Sequence, residues 1–333
     1  MGCTATVVIP AFNSATTLPR AVTSALNQDI HDIEILIVND GSSDATGAVA
    51  NGFAADARVR VIAHAENRGK AHAMNVAIAQ ARGRWIAVLD ADDWYAHHRL
   101  STLIGAGEAA QVPIVADNQH LYDEGADEVI GSALPIATRD RLLDKAAFIA
   151  GCDPYSPFDY GMLKPIVRAD FIRAAHLRYC ETARLSEDFF YLLDAFIAGG
   201  SMLLIGRPLY YWRQAFGSVS RRWTGTAHGD WRYDFPSAVS ASAALIPVLR
   251  ARGESASAEL VSRRMRAFRR LHRMQEVSML RAEGTTLVHL AASLLCRPSI
   301  WLLVMQRSVS RIFRQTGTSS PLRARRFDSS NAD

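Results

Sequence analysis

An apolar run that passes directly into three carboxylates, without an intervening turn, constrains the fold of this chain most. Residues 85–93 read WIAVLDADD. A buried strand of this kind places its polar end at the rim of an open α/β sheet, where such sheets bind their ligands. Asp90 and Asp92 share the same side-chain parity on an extended chain, so a hard divalent cation between them would relieve their repulsion. A solvated, Asp-rich turn is the competing interpretation.

The first hundred residues alternate between strand and helix patterns, which predicts a parallel, doubly wound sheet. The predicted strands are residues 6–9, 33–38, 59–62 and 85–89. Polar residues follow each of them, namely Asn13, Asp40, Asn67 with Arg68, and Asp90 with Asp92. Because the carboxyl ends of parallel strands meet at one edge, these residues predict a crevice that binds a nucleotide.

The pattern is weaker beyond residue 100. We expect a strand at 114–116 and a helix around 141–149. Residues 161–167 are expected to form an edge strand or a loop, because Pro165 cannot donate to a central ladder. Ser186 is a candidate N-cap for a helix that carries Glu187 and Asp188 in its first turn.

From residue 237 onward the chain is rich in Ala, Leu and Arg and is predicted to be helical. Residues 285–306 are apolar but are interrupted at Arg297 and Pro298, and neither half is long enough to span a bilayer. We expect a helical hairpin or an interfacial helix there. Residues 316–333 are polar and are predicted to be disordered.

Composition limits the classes of site and of partner. The four cysteines lack CxxC spacing, and no signal-peptide pattern follows Met1, so we expect neither a zinc site nor export from the cytoplasm. Residues 251–333 carry 15 Arg against 6 acidic residues. This basic end suggests an anionic surface, membrane or nucleic acid, as partner, and a solvated Arg-rich helix face is the alternative.

Five motifs occur in an order and spacing that resemble family 2 glycosyltransferases with the GT-A fold. They are VVIPAFN at 7–13, VNDGSSD at 38–44, NRGK at 67–70, DADD at 90–93 and ED at 187–188. Within that family, ADNQ at 116–119 and GMLKPI at 161–166 are similar to bacterial succinoglycan-type exopolysaccharide glucosyltransferases. The resemblance extends from residue 6 to about residue 222.

The resemblance implies an α/β GT-A fold, a doubly wound mixed sheet with helices on both faces and a helical C-terminal appendage. Residues 1–231 would be the catalytic domain, with a nucleotide-binding half at 1–100 and an acceptor half at 101–231. Residues 232–315 would form a helical region that either associates with a membrane or packs on the catalytic domain. Residues 316–333 would be a disordered tail.

The resemblance also assigns residues to a UDP-sugar donor. The implied donor-binding residues are Pro10, Phe12, Asn13, Asp40, Asn67, Arg68, Lys70, Asp90, Ala91 and Arg213. Asp40 would accept from the base, and an Asx-turn before Gly41 is the alternative explanation of its presence. Asp92 and Asp90 would hold Mg²⁺ or Mn²⁺. Gln214 stands where many members have a histidine ligand, and His228 is a possible substitute.

In the same way, the resemblance implies an inverting displacement with Asp188 as general base and Glu187 as its partner, two roles that could be exchanged. Lys164 and Trp212 would contact the acceptor, and residues 210–222 would correspond to a mobile loop over the diphosphate. The expected reaction transfers a sugar, glucose by preference, to a saccharide or a polyprenyl-diphosphate-linked acceptor in surface polysaccharide synthesis. The enzyme would lie at the inner face of the cell membrane and bind no nucleic acid.

Two other functions remain as alternatives. One is a catalytically inactive module that binds nucleotide sugars, which the four acidic residues Asp90, Asp92, Glu187 and Asp188 disfavour. The other is a sugar nucleotidyltransferase, but residues 11–14 (AFNS) are not the Gly-rich phosphate loop that it requires. The absence of GxGxxG after the first strand also disfavours a dehydrogenase.

Overall fold

The computed structural model describes residues 2–135, 137–152, 158–214 and 233–282, with side chains as far as residue 276. The chain divides into two compact units, Met1–Arg269 and Arg270–Asp333. The sheet and the residues of the predicted crevice that the structure describes belong to the first unit. The described part of the second unit is residues 270–282, which end the helix Ser255–Ala282.

The described residues contain one mixed sheet of ten strands. The strands are β1 (Ala5–Ala11), β2 (Ile33–Asp40), β3 (Val59–His64), β4 (Trp85–Val88), β5 (Trp94–Tyr95), β6 (Ile114–Asp123), β7 (Glu128–Ser132), β8 (Arg141–Leu143), β9 (Ile166–Arg168) and β10 (Met202–Arg213). The order across the sheet is β3-β2-β1-β4-β9-β6-β10-β5, with β7 on β6 and β8 on β10.

The first four strands are parallel and adjacent. Strand β1 pairs with β2 and with β4, and β2 pairs with β3. Their carboxyl ends therefore meet at one edge, as the sequence predicts. Strand β9 is antiparallel to both of its neighbours, β4 and β6, and so joins this parallel half to a second half in which β6 and β10 are parallel.

Helices cover both faces of the sheet. They are α1 (Leu18–Leu26), α2 (Thr46–Phe53), α3 (Lys70–Gln80), α4 (Arg99–Ala110), α5 (Lys145–Gly151), α6 (Ala169–Ala174), α7 (Glu187–Ile197), α8 (Phe235–Ala251) and α9 (Ser255–Ala282). One buried cluster joins Val8 of β1 to Met74 of α3 and Leu193 of α7, and the other joins Val7 to Leu18 of α1. Alternate residues of each strand thus enter opposite cores.

The first turns of the C-terminal helical region pack on the sheet domain. Leu249 of α8 and Val261 of α9 are fully buried in the cluster that contains α7. No helix within the described ranges is long and apolar enough to cross a membrane. The predicted boundary at residues 231 and 232, the apolar run 285–306 and the tail 316–333 lie wholly or partly outside the described residues.

Three local predictions are wrong. Residues 141–149 do not form one helix, because β8 ends at Leu143 and Asp144 then caps α5 by accepting from Ala147 N at 2.7 Å. Strand β9 lies inside the sheet, which Pro165 permits because it precedes the first paired residue. The first residues of the predicted mobile loop belong to β10, which extends to Arg213.

Candidate active site

Asp90 lies just beyond the carboxyl end of β4, and two lysine side chains neutralise its carboxylate. Leu89 N donates to Val8 O at 3.0 Å, so the chain is held to β1 up to the residue before Asp90. Lys70 Nζ lies 2.9 Å from Asp90 Oδ1, and Lys164 Nζ lies 2.8 Å from Oδ2. Both carboxylate oxygens therefore carry an ammonium partner.

The same two lysines hold the acidic pair at the start of α7. Asp188 Oδ2 accepts from Lys164 Nζ at 2.6 Å and from Lys70 Nζ at 3.0 Å, and Glu187 Oε1 lies 3.2 Å from Lys70 Nζ. We call these five residues, Asp90, Glu187, Asp188, Lys70 and Lys164, the lysine–carboxylate network. It joins the DADD and ED motifs and has one more carboxylate than ammonium groups.

The network gives its three carboxyl groups different pKa values. Burial alone would raise the pKa of Asp188, but Lys164 and Lys70 outweigh it and lower that pKa. The same lysines lower the pKa of Asp90 against its burial. Burial raises the pKa of Glu187, because Lys70 offsets it only in part and the Asp188 charge adds to it. Glu187 is therefore the stronger base of the ED pair in this arrangement.

Asp93 anchors the DADD segment to β10. Its buried carboxylate accepts from Tyr210 Oη at 2.6 Å and from Arg213 N at 2.8 Å. Tyr210 Oη in turn accepts from Asp90 N at 3.2 Å. Asp93 is thus a structural residue that fixes the backbone of Asp90.

Asp92 is the solvent-exposed carboxylate of the DADD motif. Its side chain is exposed, and none of the described residues other than Asp92 itself hydrogen-bonds to it. Desolvation by the walls of the crevice and then the Asp90 charge raise its pKa. Hard oxygen donors of this kind fit Mg²⁺ or Mn²⁺. Within the described ranges no three His, Cys, Asp or Glu side chains group as a metal site, and Gln214 is buried.

The donor set thus fits a cation at Asp92, with Asp90 as a second ligand once a lysine moves away. His228, the other predicted ligand, lies outside the described residues. The predicted pair Asp90 and Asp92 remains the candidate for holding Mg²⁺ or Mn²⁺.

At the other end of the crevice, backbone groups hold Asp40. Its Oδ1 accepts from Arg68 N at 3.1 Å and from His64 Nδ1 at 2.8 Å, and its Oδ2 accepts from Gly69 N at 2.7 Å. The two backbone donors come from the loop after β3, and His64 is the last residue of β3. The carboxylate therefore fastens two neighbouring loops together, which neither predicted role, base recognition or an Asx-turn before Gly41, describes.

Asn13 joins the loops after β1 and β2. Its Oδ1 accepts from Ser43 N at 2.9 Å, and its own N–H donates to Ser42 Oγ at 3.0 Å. Gly41 makes this arrangement possible, because its φ is +67° and a Cβ there would lie 2.2 Å from the carbonyl carbon of Glu66. The rim of the crevice is thus built from tightly packed loops.

The structure places the other predicted site residues less closely together. Phe12 and the side chain of Arg68 are exposed at the rim, Ala91 is buried, and Pro10 lies within β1. Asn67 accepts from Arg184, Arg213 pairs with Glu124, and Trp212 packs edge-to-face on Phe158 with ring centroids 6.2 Å apart. Among the described residues, the contacts that join the DADD and ED motifs run through Lys70 and Lys164.

The sequence analysis did not predict a buried ion pair that lies behind Lys164. Arg99 NH2 lies 2.7 Å from Asp117 Oδ1 and also donates to Lys164 O, and both charged side chains are inaccessible to solvent. Asp117 belongs to the ADNQ segment. Its position directly after the apolar residues 114–116 of β6 is the signal that could have indicated a buried partner.

Comparison with known proteins agrees with this geometry. Residues 6–151 match the model described as glycosyl transferase family 2. This part of the chain belongs to glycosyltransferase family 2. The family 2 segment includes Asn13, Asp40, Lys70 and the DADD motif, whereas Lys164 and the ED pair follow it in the sequence.

Two curated relatives come from Rhizobium meliloti (strain 1021). Succinoglycan biosynthesis protein ExoO is 36% identical over 217 residues, which are 65% of this chain and 62% of ExoO. Succinoglycan biosynthesis protein ExoU is 37% identical over 190 residues, which are 55% of this chain and 54% of ExoU. The chain thus spans less than two thirds of the length of either relative.

Solved structures of Staphylococcus aureus TarS share the fold. The complex of TarS 1-349 with UDP-GlcNAc has a TM-score of 0.55 and 16% identity, covering 72% of this chain and 66% of that one. The complex of TarS 1-349 with UDP has a TM-score of 0.52 and 18% identity, covering 63% and 60%. The mixed sheet with helices on both faces is therefore a GT-A fold, as expected.

Proposed function

We propose that this protein is an inverting glycosyltransferase that transfers a sugar from a UDP-sugar to a saccharide or lipid-linked acceptor. The observation that carries the proposal is the lysine–carboxylate network. It holds the carboxylate at the end of β4, where GT-A sheets bind the donor, against the acidic pair that would receive the acceptor proton. The same lysine side chains would thus contact both the donor-binding carboxylate and the groups that accept the proton.

The proposed reaction is a single displacement. The acceptor hydroxyl gives its proton to the ED pair as its oxygen forms a bond to the anomeric carbon, and the bond from that carbon to the diphosphate oxygen breaks. UDP departs with the bonding electrons. Attack from the side opposite the leaving group inverts the anomeric configuration.

Lys70 and Lys164 would move part of their contacts to the diphosphate during this reaction. A diphosphate is a stronger anionic partner than a single carboxylate, so the flexible lysine side chains can exchange part of their contacts from Asp90 and Asp188 to phosphate oxygens. This exchange removes the groups that lower the pKa of Asp188. The carboxylate becomes a better base when the donor is present, which disfavours proton transfer in its absence.

Asp92, with Asp90, would hold a divalent cation. Such an ion neutralises charge on the departing diphosphate without a proton transfer. Asp92 is suited to this role because it is exposed, and Asp90 becomes available when lysine contacts exchange. Asp40, Asn13 and the loops that they fasten would receive the uridine, which is consistent with their place beside β1 and β2.

The similarity to two succinoglycan biosynthesis proteins supports surface or exopolysaccharide synthesis as the process, with glucose as the first donor sugar to test. TarS has been solved with UDP and with UDP-GlcNAc, which supports UDP as the carrier. The experiment measures UDP release from UDP-glucose, UDP-galactose, UDP-GlcNAc and UDP-glucuronate, with a saccharide acceptor and with Mn²⁺, Mg²⁺ or EDTA.

Metal-dependent release of UDP with an inverted anomeric product, seen by NMR, is the expected result. Binding of a UDP-sugar without turnover would instead favour an inactive binding module. Exchange of UTP with a sugar 1-phosphate would favour a nucleotidyltransferase. A retained anomeric configuration would overturn the single displacement.

We also propose that the basic C-terminal region attaches the enzyme to an anionic membrane surface at the inner face of the cell membrane. The support is its composition, 15 Arg against 6 acidic residues over residues 251–333, and the exposed side chains of Arg263 and Arg269 on α9. Sedimentation with vesicles containing one third anionic lipid tests this. Equal sedimentation of the chain and of a variant without residues 285–333 would contradict it.

A further inference from the structure

Arg264 of α9 is a buried cation that touches two segments of the proposed active site. It lies far beyond residues 6–151, which match the family model. The residue is 2% exposed, and its guanidinium group pairs with Asp159 through NH1 and donates to Ser186 Oγ from NH2 at 3.0 Å. The Phe189 ring lies under it, with 3.8 Å from Cζ to the ring centroid.

Ser186 immediately precedes the ED pair and has an unusual backbone conformation. Its φ of +69° lies in the left-handed region, which residues other than glycine rarely adopt unless neighbouring contacts impose it. It occupies the N-cap position of α7, as predicted, but its side chain makes no hydrogen bond to the helix amides. The hydroxyl is held instead by the Arg264 contact.

Asp159, the second partner, controls the backbone that leads to Lys164. Its Oδ1 accepts from Gly161 N at 2.9 Å and so caps the short 3₁₀ helix Tyr160–Met162. Lys164 follows that helix by two residues. One guanidinium group thus joins the turn before the ED pair to the turn before a lysine that contacts it.

Helix α8 holds the same turn from another position. Arg184 N donates to Ser237 Oγ at 3.0 Å, and Ser237 lies in the first turn of α8, where its N–H donates to Asp234 at 3.0 Å. Residues 184–186 are thus fastened by both C-terminal helices. Two independent contacts on one short segment indicate that its path depends on these helices.

We propose that Arg264 is a positioning residue for Glu187, Asp188 and Lys164, so that α8 and α9 complete the catalytic site. This inference rests on the proposed function, because it assigns the lysine–carboxylate network to catalysis. Arg264 itself does not touch the reacting atoms. Its planar fork binds two partners at fixed separation, which a single ammonium group cannot reproduce.

The first test compares Arg264→Lys with Arg266→Lys. The first variant keeps a positive charge near Asp159 but loses the fork, whereas Arg266 is exposed on the same helix and pairs with Glu259 at 2.8 Å. We expect kcat to fall about 10-fold or more for Arg264→Lys, with KM for the UDP-sugar and the Kd of UDP within about 2-fold of the wild type. Arg266→Lys should match the wild type in all three quantities.

The second test separates positioning from stability at Ser186. Ser186→Ala removes the hydroxyl and keeps the unfavourable positive φ, whereas Ser186→Gly accepts that φ without strain. We expect Ser186→Ala to reproduce the kcat loss of Arg264→Lys, and the double variant to show little further loss because both changes break one contact. Ser186→Gly should retain more activity than Ser186→Ala.

Hydrogen exchange gives a readout that does not need turnover. Amides of residues 184–190 should exchange faster in Arg264→Lys than in Arg266→Lys, while those of β1 and β2 stay unchanged. Unchanged exchange at 184–190, or an unchanged kcat in an active enzyme, overturns the inference. Absence of UDP-sugar turnover in the wild type, with faster exchange in Arg264→Lys, would reject the proposed function and leave the positioning contact established.

Discussion

The two ends of the crevice hold their acidic side chains in different ways. Asp40 at the rim accepts from two backbone N–H groups and a histidine, whereas Asp90 and Asp188 at the reactive end accept from lysine ammonium groups. Backbone donors cannot leave without moving the loop that carries them, but a lysine side chain can rotate away. The rim therefore has a fixed shape, and the reactive end has charges that a ligand can rearrange.

This difference indicates where substitutions should affect folding and where they should affect chemistry. A change at the rim removes part of the scaffold. A change in the lysine–carboxylate network leaves the scaffold largely in place, because the remaining charged side chains keep contacts with one another. It alters the pKa values of the carboxyl groups and the contacts available to the donor. The following predictions test this contrast.

The largest effect is expected for the ED pair. Asp188→Asn and Glu187→Gln each preserve shape, and loss of a general base typically lowers the rate by about 10²–10⁴. The variant that loses more kcat identifies the base, and the pKa directions favour Glu187 in the enzyme without donor. Single-turnover kinetics at saturating donor measure the loss. Both variants keeping full kcat would exclude the pair from catalysis.

The next effect is expected at Asp92. Asp92→Asn should lower kcat/KM by about 10²-fold and raise the Mn²⁺ concentration required for half-maximal rate, because an exposed anionic ligand is lost. Asp170→Asn is the matched control, since Asp170 is also exposed and pairs with nearby Arg168, away from the lysine–carboxylate network. Equal metal titration curves for Asp92→Asn and the wild type would remove Asp92 from the proposed metal site.

Asp40→Asn tests the fixed end. An amide in this position faces backbone N–H donors with one acceptor oxygen and a competing NH₂ group. We expect the free energy of unfolding to fall by about 1–3 kcal/mol, the typical cost of leaving buried polar groups unsatisfied. Urea denaturation measures it. A larger loss of stability in Asp188→Asn than in Asp40→Asn would contradict the contrast between the two ends.

The smallest effect is a shift of the pH profile in Lys164→Met. Lys164 is the strongest of the groups that lower the pKa of Asp188, so its removal raises that pKa. A base with a higher pKa needs a higher pH to be deprotonated. The acidic limb of the kcat/KM profile, which reports the free enzyme, should therefore move to higher pH by about one unit, a change that corresponds to ~1.4 kcal/mol. No shift, or a shift to lower pH, would contradict the arrangement.

Strands β1 to β4 could be predicted from the sequence because parallel strands covered on both faces are continuous apolar runs. Strand β6 was predicted over only three of its residues, since Asn118 and Gln119 look like loop residues until their partners are known. Asn118 Nδ2 donates to Leu134 O and Gly206 O, which are distant in the chain. Contacts of this kind are tertiary and have no local signature.

The same reason explains what was predicted of the site. Local motifs were sufficient to indicate Asp90, Asp92 and the ED pair, because each follows a recognisable strand or starts a helix. Lys70 and Lys164 were assigned to separate tasks, and only the fold shows that they join the two motifs. Arg264 is the buried one among the α9 arginines whose side chains the structure describes, and the sequence does not distinguish it from the others.

The lysine–carboxylate network draws its charges from three distant parts of the chain. A nascent polypeptide that has left the ribosome only as far as α3 and β4 contains Lys70 and Asp90 but neither Lys164 nor the ED pair. Under the proposed function, such a precursor would lack the proton acceptor beside the donor, as would any fragment that ends before α7. Turnover of a sugar nucleotide would then require synthesis of the chain at least as far as the ED pair.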